Sequence, residues 1–174
     1  RTFQINNLFR SLTVLENVFL ASSEHRGESL HLLRAAGRAK GTIAHAESVL
    51  DRLGLADVRH RRIADLPYGR QRQIEIAIAL ALEPRVLLLD EPAAGIPSSE
   101  LARLLEVIEA LPREMAILMI EHDMQVVRRF ASQVTVLVAG AVLMTGSPQE
   151  VMASEQVRIA YLGRTGAAFG AHRA

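Results

Sequence analysis

The chain has 174 residues, enough for one domain with a sizeable core, and its 49% hydrophobic and 22% charged residues are ordinary for a globular protein. Its 20 basic and 19 acidic side chains leave a formal charge of +1, and aromatics make up only 4% with no Trp, which argues against nucleic-acid modules that need a basic face or stacking platforms. No Cys is present, so disulfides and thiolate metal sites are excluded, and no run reaches the ~18 apolar residues of a membrane helix.

The opening RTFQINNLF has no initiator Met and no apolar signal-peptide core, and its apolar-polar start reads as the middle of a domain. Ser11 or Thr13 is the expected cap of a helix through TVLENVFLA, and Glu16, three residues after Thr13, has capping-box spacing. His25 to Gly41 mixes Gly, Ser, Arg and Ala with little period and predicts a loop around a short helix. Thr42 to Leu53 carries apolar residues at helical spacing, and Gly54 follows as a C-cap. The charge run from Arg59 to Arg62 reads as a solvated face. Gly69 to Leu82 is strongly helical and is broken by Pro84.

Val86 to Leu89 is a short apolar run ending in Asp90, the pattern of a buried parallel strand with a carboxylate at its C-terminal end. Ser99 to Leu111 predicts a Ser-capped helix, and Ala116 to Ile120 a second buried strand followed by Glu121, His122 and Asp123. A helix over Met124 to Phe130 comes next. Val134 to Val138 and Val142 to Thr145 form a hairpin around Ala139-Gly140. Helices at Pro148 to Ala153 and Glu155 to Leu162 precede a Gly-rich tail expected to be disordered. Strands alternating with helices imply an α/β domain with a parallel sheet, in which ligands sit beyond the carboxyl ends of the strands.

The chemistry-bearing segments lie near that edge. In VLLLDEP, Val86 to Pro92, a buried strand delivers Asp90 and Glu91 side by side. Nucleotide hydrolysis needs one carboxylate for Mg²⁺ and a second to polarise the attacking water, and adjacent residues at a strand end diverge enough to do both. Read alone, the segment is equally a strand ending in a solvated acidic turn. His122 follows the second strand, where an imidazole can hydrogen-bond a γ-phosphate, and Gln4 is a neutral residue able to meet both Mg²⁺ and water. In LPYGRQRQIEIAIALALEP, Leu66 to Pro84, a Gly at a helix start lets backbone N–H groups approach an anion. Each feature has a bland reading, and their shared order is what makes coincidence improbable.

That order resembles the ATP-binding subunit of ABC transporters, in particular the branched-chain (hydrophobic) amino acid uptake group. The motifs stand as RTFQ, LPYGRQRQIEIAIAL, RVLLLDEPAAG, IEHDM and a C-terminal GSPQEVMASEQVRIAYLG, and the likeness spans nearly the whole chain. The resemblance implies an α/β P-loop NTPase core with a parallel sheet and an inserted helical subdomain, incomplete at the N-terminus. It divides the chain into a Q-loop region (1–10), a helical subdomain ending in the signature motif (11–72), a RecA-like core (73–163) and a tail (164–174). It implies that Gln4 and Asp90 serve Mg²⁺, that Glu91 is the catalytic base and that His122 is the switch histidine. Pro67, Tyr68, Gly69 and Arg70 take the signature loop, which caps the γ-phosphate of ATP on the opposite protomer, and Ala94 to Pro97 the D-loop.

The implied cofactors are ATP and Mg²⁺. The implied partners are transmembrane permease subunits, a second ATP-binding subunit and, indirectly, a periplasmic binding protein, with no nucleic acid. The implied location is peripheral, on the cytoplasmic face of the inner membrane. The surface around Gln4 and Asn6 to Asn17 is expected to dock on a permease subunit, because Ile5, Leu8, Phe9, Leu12, Leu15 and Val18 are more apolar residues than one helix face buries. Three departures qualify this. No G-x-x-x-x-G-K-[ST] occurs, and the family places it before the Q-loop, so these residues by themselves are expected not to hydrolyse ATP. The signature has Pro67 for Ser and Arg70 for Gln, and the D-loop has Pro97 for Asn or Asp. Two other readings stay open: a non-transport ABC ATPase of DNA repair or translation, and a non-catalytic remnant that docks on a membrane subunit.

Overall fold

A computed structural model describes residues 8–25 and 36–162 of the chain. Gln4 and the remainder of RTFQ lie outside these residues, as does the tail expected to be disordered. The chain divides into two compact units, with the break between Glu121 and His122.

The first unit opens with the predicted capping box. The Thr13 hydroxyl oxygen accepts the Glu16 N–H at 3.2 Å, and the Glu16 carboxylate accepts the Thr13 N–H at 2.7 Å. This starts α1 (Val14–His25), whose Val14 and Val18 are buried. Helix α2 (Ala36–Arg52) begins earlier than the sequence predicts, because residues 36–41 are helical rather than part of a loop. Ala36, Arg38, Ala39 and Lys40 are good helix formers, and together they outweigh Gly37 and Gly41. The predicted C-cap at Gly54 is correct. Gly54 takes φ +65°, its N–H donates to the Asp51 carbonyl at 3.1 Å, and the Leu55 N–H donates to the Leu50 carbonyl at 2.9 Å, which is a Schellman motif.

Two segments distant in sequence are then sewn together. The Val14 N–H donates to the Arg61 carbonyl at 3.0 Å, the Ile63 N–H to the Leu12 carbonyl at 3.1 Å, and the Ala64 N–H to the Arg10 carbonyl at 3.1 Å. This pairing holds the chain just before α3 (Tyr68–Ala81) against the start of α1. Helix α3 packs against α1, α2 and α4, so Ile74, Ile76, Ala77, Leu80 and Ala81 are all buried. It ends at Ala81, with Leu82 as its C-cap, before Pro84.

Strand β1 (Val86–Asp90) pairs in parallel with β2 (Ala116–Ile120), Leu88 opposite Leu118 and Asp90 opposite Ile120. Helix α4 (Ser98–Glu109) makes the crossover between them. Its N-cap is Pro97 with no side-chain cap bond, not a serine as the sequence suggests. Ser98 and Ser99 fall inside the helix, and the Pro97 carbonyl accepts the N–H groups of Glu100 and Leu101 at 2.9 and 3.1 Å.

The strands are less covered than two fully buried runs. Leu87 and Leu89 are buried, but Leu88 is 49% exposed and Leu118 62% exposed. Leu87 and Leu89 are the only buried residues of the pair, and no residue of β2 is buried. An apolar run records residue type and cannot record how many faces a sheet has covered.

The second unit starts at His122. Asp123 caps α5 (Met124–Phe130) by accepting the Gln125 N–H at 2.8 Å. β3 (Val134–Val138) and β4 (Ala141–Gly146) form the predicted hairpin, with Ala139 and Gly140 both at positive φ (51° and 81°), the requirement of a type I′ turn. A second capping box, Ser147 with Glu150, opens α6 (Pro148–Ala153), and α7 (Glu155–Leu162) follows. Val126, Val151 and Val157 are buried.

Candidate functional site

β1 ends where its carboxylates begin. Asp90 is the last strand residue and is exposed. Glu91 leaves the sheet with φ +43°, while its N–H still donates to the Ile120 carbonyl at 2.9 Å. A non-glycine residue in the left-handed region is strained by about 1 kcal/mol or more and persists only where the surroundings fix it. Here the ladder bond holds it from one side. From the other, the Glu91 carbonyl accepts the Ala94 N–H at 3.0 Å. The turn beyond is pinned by Glu121, whose Oε1 accepts the Ala93 N–H at 3.1 Å. The backbone thus aims Asp90 and Glu91 in different directions from one strand end. Sequence alone noted Glu121 only as an acidic tip and missed this anchoring contact.

The loop before α3 is fixed residue by residue. Pro67 is the N-cap and carries no side-chain cap bond. The Gln71 amide, buried, donates from Nε2 to the Leu66 carbonyl at 2.8 Å. The Arg70 guanidinium is spread between Asp57 Oδ2 at 3.1 Å and Gln73 Oε1 at 3.2 Å. Its charge is therefore engaged within the chain. Arg72 lies over the Tyr68 ring, 5.3 Å from its centroid, and bridges to Glu75 at 2.9 Å. Burial works against the Arg72 charge, but the hydrogen bond and charge of Glu75, with a smaller contribution from Tyr68, outweigh it and raise its pKa above the ordinary value.

Gly69, in the first turn of α3, is buried, and its N–H donates to Glu100 Oε2 at 3.0 Å. Glu100 sits in the first turn of α4 and was missed by sequence reasoning. The only local signal was its place three residues past Pro97, and nothing local named its partner. Gly95, at φ +72°, lies against the Tyr68 ring, so the turn after Glu91 and the start of α3 meet in one region of the first unit.

His122 follows β2 in the chain, opens the second unit and is exposed. Gln4 lies outside the described residues. Asp90, Glu91 and the Pro67 to Arg70 loop all lie in the first unit, while His122 belongs to the second. Among the described residues no helix is long and apolar enough to cross a membrane.

Comparison with known proteins places the chain in a family. Residues 1–94 match the family described as ABC transporter. The chain is 38% identical over 170 residues to the high-affinity branched-chain amino acid transport ATP-binding protein LivG of Salmonella typhimurium (strain LT2), covering 94% of this chain and 67% of that protein. It is 35% identical, with the same coverage, to the high-affinity branched-chain amino acid transport ATP-binding protein BraF of Pseudomonas aeruginosa. Its fold matches the ADP conformation of MJ1267, an ATP-binding cassette of an ABC transporter, with a TM-score of 0.72 at 24% identity over 94% of this chain and 67% of that one. With a family match over more than half its length and a parallel sheet that ends in paired carboxylates, the chain belongs to the ABC transporter family of nucleotide-binding ATPases.

Proposed function

We propose that the chain forms part of the ATP-hydrolysing subunit of an importer for branched-chain amino acids or related amides. The observation that carries this reading is the end of β1. There two adjacent carboxylates diverge from a fixed backbone, in the same unit as a glycine-containing helix start. The likeness to LivG and BraF supports the substrate group.

In this reading Glu91 is the general base and withdraws a proton from the attacking water. Asp90 would hold Mg²⁺ together with Gln4. An exposed carboxylate suits this ion, which is bound by one or two carboxylates along with substrate phosphates. Bound Mg²⁺ neutralises charge that develops on the phosphate oxygens. The loop from Pro67 to Arg70 closes over the γ-phosphate of ATP held by a second ATP-binding subunit, and His122 contacts the γ-phosphate of the ATP held by its own cassette. Residues 11–72 serve as the helical subdomain between the Q-loop region (1–10) and the RecA-like core (73–163).

Permease subunits are the proposed membrane partners, at the cytoplasmic face. Phe9 supports a docking surface, because it is 60% exposed while Leu8 and Val18 of the same apolar segment are buried.

Turnover is the test, with the chain joined to the phosphate-binding segment that the family places upstream of its Q-loop. Glu91→Gln is expected to lower ATP turnover by about 10²- to 10⁴-fold while ATP binding is retained. Undiminished turnover in that variant would overturn the assignment.

A further inference from the structure

The Gly69 amide, in the loop that the proposed function sets over phosphate, already holds an anion. The carboxylate of Glu100 reaches it from a different helix, 31 residues along the chain. Helix starts leave N–H groups without intrahelical partners, and a Ser, Thr, Asp or Asn at the N-cap ordinarily satisfies one of them. Pro67 has no side-chain oxygen to offer, and Glu100 takes over that role from α4. The fit leaves no spare room, since a Cβ at residue 69 would collide with the Glu100 carboxylate. The cations beside the amide are engaged as well, Arg70 with Asp57 and Arg72 with Glu75.

We propose that Glu100 is a resident anion, which occupies the Gly69 amide until the γ-phosphate of ATP on the second subunit displaces it. The proposal rests on the reading of Leu66 to Arg70 as the signature loop. One N–H carries one hydrogen, so carboxylate and phosphate compete for it. Their like charges also repel, so phosphate enters only as Glu100 swings away. Glu100 would then act as a positioning residue: it shapes the empty loop and raises the ATP concentration at which two subunits close. It also couples that closure to α4, whose first turn must release the carboxylate.

The experiment uses the full-length protein in the Glu91→Gln background, where slow turnover preserves the ATP-bound state. Association driven by MgATP is followed by analytical ultracentrifugation. Glu100→Ala frees the amide and is expected to lower the ATP concentration for half-maximal association by about five-fold, the equivalent of one helix cap. Glu100→Gln keeps the size and one acceptor oxygen but not the charge, and should fall between Glu100→Ala and the parent. A merely structural cap predicts the opposite, because its loss would loosen the loop and weaken association. A threshold that is unchanged or raised in both variants overturns the proposal. Tyr68→Asp, which places a negative charge on an exposed position of the same loop, separates the two ideas, since it should abolish association if the loop meets phosphate. Association that survives Tyr68→Asp overturns the loop reading itself.

Discussion

Replacing Asn17 by Ala would test how the first unit holds the entry to α1. Asn17 is 2% exposed, and its side chain makes three hydrogen bonds. Oδ1 accepts the Phe9 N–H at 2.9 Å, and Nδ2 donates to the Phe9 carbonyl at 3.1 Å and to the Thr13 carbonyl at 2.8 Å. The two carbonyls keep other partners in the variant, since Phe9 also accepts from the Leu12 N–H and Thr13 from the Asn17 N–H. Only the Phe9 N–H loses its sole bond in this network. Taking about 1 to 1.5 kcal/mol for that bond and about 0.5 kcal/mol for each of the others, Asn17→Ala should destabilise the unit by about 2 kcal/mol. Asn17→Asp keeps the acceptor but turns a carboxylate towards two carbonyl oxygens, so it should be at least as damaging near neutral pH. Lowering the pH protonates that carboxyl, restores a donor and should recover part of the loss relative to wild type at the same pH. Urea denaturation gives the total, and hydrogen exchange over residues 8–25 localises it, with residues 124–162 as an internal reference. A loss below about 0.5 kcal/mol in Asn17→Ala would refute the accounting.

Two further outcomes are expected. Glu16 and Glu150 each accept the backbone N–H and then the hydroxyl of a cap residue, Thr13 and Ser147, which holds both carboxyls below the ordinary glutamate value. A lowered folded pKa contributes stability that is complete above the unfolded value and is lost as pH falls through the folded one. The urea midpoints of wild type and the Glu16→Gln, Glu150→Gln pair should therefore differ at about pH 6 and converge as the pH falls through the lowered folded values. A difference that persists in acid would contradict the capping account. Phe9→Asp in the full-length protein should leave ATP turnover intact and reduce substrate uptake into membrane vesicles, whereas normal uptake would remove Phe9 from the docking surface.

The local grammar of the chain was readable because its partners are near in sequence. Thr13 with Glu16, Gly54 after Leu53, Pro84 after a long helix and Ala139-Gly140 between two β-branched runs each fix geometry within a few residues. The strand before Asp90 was legible for the same reason, and motif order then directed attention to Glu91 and to the Pro67 to Arg70 loop. What escaped notice depends on distant partners. Nothing near Gly69 names Glu100, and nothing near Arg70 names Asp57, which lies 13 residues away across a turn. The early start of α2 was hidden because Gly37 and Gly41 interrupt the period without breaking the helix. The exposure of Leu88 and Leu118 was hidden because a row of Leu and Ile is the same row whether one or both sides are covered.

At residue 91 the backbone and the side chain ask for different amino acids. The left-handed conformation favours glycine, which has no side chain and so no carboxylate to offer. A population of variants selected for folding alone would therefore drift towards Gly at this position and gain stability as it did so. A population selected for turnover would hold Glu against that drift. Comparing the two enrichments at residue 91 would show whether strain is tolerated there for the sake of chemistry.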